Sequence, residues 1–128
     1  MLIEASVGEV VDKATILAIK VEKFTDSEKR RHVADELALL TEALGSVGVS
    51  LESPDAVALK EINEKLWHIE DDIRVKELRK EFDDQFIQLA RAVYFVNDDR
   101  AAVKKRINVA VGSRIVEEKQ YVDYKQNS

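Results

Sequence analysis

The chain is expected to be all-α and bundle-like, and three observations carry that expectation. Helix breakers are scarce, with one proline and four glycines in 128 residues. Apolar residues recur at three- and four-residue steps over most of the length. Charged side chains make up 35% of the chain with both signs interspersed, as on the wet faces of helices, while 45% hydrophobic content suffices for one core. A single helical domain over residues 1–128 is expected, with 1–5 and 125–128 frayed.

The first helix is announced by Ser6-Val7-Gly8-Glu9, a capping box, and should run from about Val7 to Phe24. Its stripe is Val7, Val10, Ala14, Leu17, Val21 and Phe24, widened by Val11 and Ala18. A second box, Thr25-Asp26-Ser27-Glu28, starts a helix carrying Val33, Leu37, Leu40 and Leu44, with Gly45 as the residue just past its end. The two should form an antiparallel hairpin. Gly45 to Pro54 reads as a loop closing in Ser53-Pro54, an N-cap followed by proline at the first helical position.

From Pro54 to Val96 there is neither glycine nor proline, yet the apolar face changes side. At about 100° per residue, Ile62, Leu66, Ile69 and Ile73 share one arc, and Val75, Leu78, Phe82, Phe86, Leu89, Val93 and Val96 lie nearly opposite. Two structures satisfy this: a break near Arg74 to Lys76, or one kinked helix about 60 Å long whose halves pack on different partners. The long helix is the favoured reading, and it implies a homo-oligomer, because a second subunit would cover the second face. Beyond it, Asn97-Asp98-Asp99 is expected to end that helix and cap a shorter one starting near Arg100, and Gly112-Ser113 to separate it from a last helix with Glu117, Glu118, Lys119, Tyr121 and Tyr124.

Charge narrows the function classes. The net charge of −5 leaves no basic footprint for a phosphate backbone, so nucleic acid is not an expected partner. With no cysteine, thiolate metal sites and cysteine nucleophiles are excluded. His32 and His68 sit in charged surroundings that suit no nucleophile scheme. The opening MLIEASVGEVV lacks a basic signal-peptide region and no membrane-spanning run follows, so a soluble cytoplasmic protein is expected, with no membrane partner.

The span from Leu66 to Asp84, LWHIEDDIRVKELRKEFDD, holds seven carboxylates. Glu70, Arg74, Glu77, Glu81 and Asp84 fall on one strip at pairing distance, which reads mostly as a solvated face. Asp71 and Arg74 border the side that becomes apolar downstream, so they are expected to pair or to face a ligand. Arg91 and Tyr94 interrupt an apolar run, and the turn at Asn97 and Asp98 should return Arg100 and Lys104 toward Arg91 as an anion-holding group. The expected site is therefore Asp71, Arg74, Arg91, Tyr94, Asn97, Asp98, Arg100 and Lys104, converging in one partly buried cluster.

The stretches GEVVDKATILAIKVEKF, LWHIEDDIR, FDDQFIQLARAVYFVNDDRAAVKKRIN and EEKQYVDY together resemble a small bacterial and phage family of unknown function, from about Ser6 to Tyr124. That family usually has isoleucine where Ala14 stands and glutamate where Ala18 stands. Trp67, Glu70, Asp71, Arg74, Asp83, Arg91, Tyr94, Asn97, Asp98, Arg100, Lys104 and Asn108 match its pattern. The resemblance implies a neighbourhood of glycosyltransferase and surface-polysaccharide genes and no established activity.

Two function classes follow. One is a non-catalytic, oligomeric binding or assembly module for a protein or a small phosphorylated ligand, linked to nucleotide-sugar or glycan metabolism, without cofactor. The other is an all-α nucleotide pyrophosphohydrolase whose Mg2+ ions would be held by Glu61, Glu64, Glu81 and Asp84, an ExxE and an ExxD pair. Sliding these pairs along antiparallel helices leaves them out of level by about 7 Å if the chain turns near Val75.

Overall fold

A computed structural model of the chain describes residues 1–112, as four helices and no strand among them: α1 Val7–Lys23, α2 Ser27–Ser46, α3 Pro54–Arg79 and α4 Asp84–Val111. The helix expected after Gly112-Ser113 lies outside the described residues. None of the four helices is long and apolar enough to cross a membrane.

The helix ends show how the sequence is cut. Ser6 caps α1 by accepting from the Glu9 amide, and Ser53 caps α3 through the Ala56 amide with Pro54 at its first position. α2 is capped by Asp26, whose carboxylate accepts from the Glu28 and Lys29 amides, rather than by Thr25. Gly45 lies inside α2. The left-handed residue that ends it is Gly48, at φ 75°, and the Val49 amide returns to the Leu44 carbonyl.

The glycine-free segment breaks, so the single long helix is corrected to two. The break falls at Lys80 to Asp83, several residues beyond the expected Arg74 to Lys76. Lys80 takes the left-handed conformation at φ 54° and the Glu81 amide reaches back to the Lys76 carbonyl. Asp83 then caps α4 by accepting from the Phe86 amide at 3.0 Å, while Lys76 Nζ donates to Asp83 at 2.8 Å and Glu81 at 3.1 Å. The hydrogen bond from Lys76 holds the Asp83 carboxyl below its ordinary range and raises the lysine in turn. This contribution is present above the unfolded carboxylate pKa and is lost as pH falls through the depressed Asp83 value; at the alkaline end it goes as pH rises through the raised Lys76 value. Protection of the amides in the 77–87 turn, corrected for intrinsic exchange, is therefore expected to fall in acid before that of the rest of the chain does, and a uniform loss of protection would contradict the assignment.

A second correction concerns Asn97-Asp98-Asp99. No turn forms there, because α4 runs on to Val111 and ends at Gly112, φ 66°. Asn97 is thus placed one helical turn from Arg100 on a single rigid element.

α1 is the central helix, with α2 packed on one side of it and the antiparallel α3/α4 pair on the other. The core joins Val11, Ala14, Leu44, Ala56, Leu59, Val103 and Ile107, flanked by half-buried Leu37, Leu40 and Ile62. α1 has 17 residues against 26 and 28 for α3 and α4, so its length of roughly 25 Å leaves the far half of the pair uncovered. There Val75, Leu78, Phe82 and Ile87 are exposed, Leu78 at 82%.

Candidate functional site

Where α1 meets α3 and α4 a buried polar network lies beside the apolar core. Asp12, 2% exposed, points from α1 into the pair. Arg100 donates to both its oxygens, Nε to Oδ1 at 2.8 Å and Nη2 to Oδ2 at 2.5 Å. Asn63 Nδ2 donates to the same Asp12 Oδ1 and to Thr15 Oγ1, each at 2.9 Å, and the Thr15 hydroxyl donates to the Asp12 carbonyl. One turn nearer the start of α1, Lys104 Nζ reaches Glu9 at 2.7 Å and the Gly8 amide donates to Asn108 Oδ1 at 2.6 Å. These groups are mutually satisfied, since no buried side-chain nitrogen or oxygen among the described residues lacks a partner. Two guanidinium donors held on a buried carboxylate fix the arginine in one rotamer.

Above this network a cleft of about 390 Å³ opens between Ile16 of α1, the α3 stripe Asn63, Leu66, Trp67, Glu70, Asp71 and Arg74, and Asn97 and Arg100 of α4. The α3 residues share one face by spacing, and this face continues the one that α1 covers lower down. The network supplies a rigid floor, Leu66 and Ile16 supply apolar wall, and Trp67 supplies a half-buried indole. The side chains of Trp67, Asp71 and Asn97 make no hydrogen bond or ion pair among the described residues. Arg74 pairs with Glu70 at 3.4 Å, not with Asp71.

Four of the eight expected site residues, Asp71, Arg74, Asn97 and Arg100, therefore line one cleft. The other four do not. Arg91 is exposed and stands 5.8 Å over the Phe95 ring, outside the cleft lining. Tyr94 is 44% exposed and packs beside Phe95. Asp98 is half-buried on another side of α4, and Lys104 is buried against Glu9. The anion group expected from Arg91, Arg100 and Lys104 is thus dispersed: two of its members are committed to carboxylates of α1, and the third faces elsewhere. An exposed Arg91 over one ring is worth about 0.5–1 kcal/mol, so its removal is expected to cost no more than that.

The carboxylates of the hydrolase reading are not brought together. Glu61 and Glu64 lie in the first half of α3, Glu81 in the turn and Asp84 at the start of α4. Glu64 is separated from the end of its helix by about 22 Å of axial rise. Glu64 also leans on Lys60 at 3.7 Å and Glu81 on Lys76. No group of three His, Cys, Asp or Glu side chains among the described residues has the placement to hold a metal ion.

Glu9, Asp12, Thr15, Asn63 and Asn108 are the network members absent from the expected site, although Asn108 matched the family pattern. A signal existed: Asn97, Arg100, Lys104 and Asn108 recur at helical spacing beside apolar Val96, Val103 and Ile107, so a polar stripe adjoins a buried face. Eight of the nine residues lining the cleft, all but Asn63, fall in the stretches that carried the family resemblance. No curated protein and no solved structure matches the chain. A family model does, over residues 1–126, and the chain belongs to that family of unknown function, DUF6165.

Proposed function

We propose that the protein is a non-catalytic binding module that holds a small polar molecule in the cleft between α1, α3 and α4. The observation that carries this is the meeting of the Trp67, Asp71 and Asn97 side chains, hydrogen-bonding groups without a partner among the described residues, in a cleft whose other polar side chains are already paired. An apolar cavity with a few convergent polar groups on a pre-ordered floor is the usual form of a ligand site. The experiment is thermal unfolding in the presence of sugars, nucleotide sugars, amino acids, polyamines and sugar phosphates. A binder should raise Tm by several degrees through mass action, and Trp67→Ala and Asn97→Ala should each abolish the rise; Asn97→Ala should leave the unliganded Tm within about 3 °C of its starting value, whereas Trp67→Ala lowers it because the indole is half-buried. No rise with any compound would remove the proposal.

Self-association is the second part of this reading. Its first motive, two opposed apolar faces on one continuous helix, disappears with the break at Lys80. The exposed Val75, Leu78, Phe82 and Ile87 at the end of the α3/α4 pair supply another. Sedimentation at micromolar concentration should give a species heavier than the 14.5 kDa chain, and Leu78→Glu with Phe82→Glu should return it to a monomer. A monomer from the unaltered chain would end this part alone.

A further inference from the structure

Each guanidinium at the cleft already has a carboxylate. Arg100 is forked onto Asp12, and Arg74 lies across one helical turn from Glu70. Asp71 is the charge that remains, with no ion pair among the described residues. With Asp12 directly behind Arg100, two positive groups stand against three negative ones among the described residues. A phosphate or carboxylate entering here would have to compete with Asp12 or Glu70 for an arginine, and would meet Asp71 as a like charge.

A positive group meets the reverse situation. Asp71 can accept a charge-assisted hydrogen bond from it. Trp67 precedes Asp71 by four residues and so stands on the same side of α3, in the lining of the cleft, where an indole is a favourable neighbour for a cation. Asn97, across the cleft on α4, adds an amide oxygen. Resting on the binding role proposed above, we propose that the ligand of this cleft is a small organic cation, its ammonium or guanidinium group seated between Trp67 and Asp71.

The chain has one tryptophan, so its emission reports on this site directly. The full chain is titrated at low ionic strength with agmatine and choline as cations, glucose as a neutral probe, and glucose 6-phosphate and inorganic phosphate as anions. A cation should change the emission saturably, at a concentration at least about tenfold below that for any neutral or anionic probe. Asp71→Asn should weaken this about tenfold or more. Arg74→Gln should strengthen it severalfold, because it removes a competing cation and releases Glu70; a site built for an anion would respond to the same change with a loss. Both side chains are exposed, and far-UV circular dichroism checks that both variants keep their helices. Tighter saturation by glucose or by the phosphates, or weaker cation binding in Arg74→Gln, would overturn the charge assignment and leave the cleft as a binding site. Emission unmoved by every probe would overturn the assignment and count against the binding role as well.

Discussion

Replacing Asp12 by alanine is expected to destabilise the fold by about 3 kcal/mol, at the lower end of what breaking a buried ion pair costs. The lower end applies because the Arg100 side chain retains 29% exposure and can recover some hydration, whereas Asp12 has almost none to lose. The loss has two parts. Arg100 keeps its charge against the α1 surface without a counter-ion, and Asn63, 5% exposed, loses one of the two acceptors of its amide. Asp12→Asn keeps the volume and one acceptor but removes the charge, so about half the effect is expected from it. Urea unfolding gives the difference, and for a chain of this size Asp12→Ala should lower Tm by about 10 °C. A change under 1 kcal/mol would show that the network contributes little. Because Arg100 and Asn63 also line the cleft, both variants should lose ligand affinity out of proportion to their residual folded fraction.

Asp12 also marks the limit of what the sequence made legible. Within GEVVDKAT it looks like any solvated carboxylate between aliphatics, and only a partner 88 residues away makes it a core residue. Local chemistry was readable where it acts locally: Ser6 and Ser53 as caps, Pro54 at a helix start, Gly112 past an end, and α1 to within a residue. A break was one of the two structures the phase change allowed, but its place at Lys80 was not readable, because the position that demands a left-handed conformation carries lysine instead of glycine. What compensates the strain is tertiary in kind: the half-buried α3/α4 seam of Ile69, Ile73, Phe86 and Leu89 pairs only if the chain reverses there. The change of apolar side near Val75 was a true signal attached to the wrong cause. Val75 and Leu78 are simply exposed, and the stripe that resumes at Phe86 belongs to a different helix.

The same distinction between local and tertiary demands sets up opposite outcomes for two glycines. An alanine is favoured over glycine inside a helix by about 1 kcal/mol when nothing obstructs its methyl group. Gly45 meets that condition, since a Cβ there would find nothing within 4 Å, and Gly45→Ala should stabilise the protein by up to that amount. At Gly8 a Cβ would stand 2.5 Å from the Lys104 carbonyl oxygen and 2.9 Å from Asn108 Oδ1. The first obstacle is backbone on a 28-residue helix, which cannot swing aside as a side chain would. Relief requires α1 to move off α4, and that movement stretches the 2.6 Å bond from the Gly8 amide to Asn108, a side chain 1% exposed with no water to replace it. Overpacking and the stranded amide together outweigh the propensity gain, so Gly8→Ala is expected to destabilise by about 3 kcal/mol. Asp12 lies one turn further along α1, so the same displacement lengthens its fork with Arg100 and should weaken binding in the cleft, while Gly45→Ala leaves binding unchanged. Equal stabilisation by the two substitutions in parallel denaturation curves would mean that α1 does not approach α4 this closely.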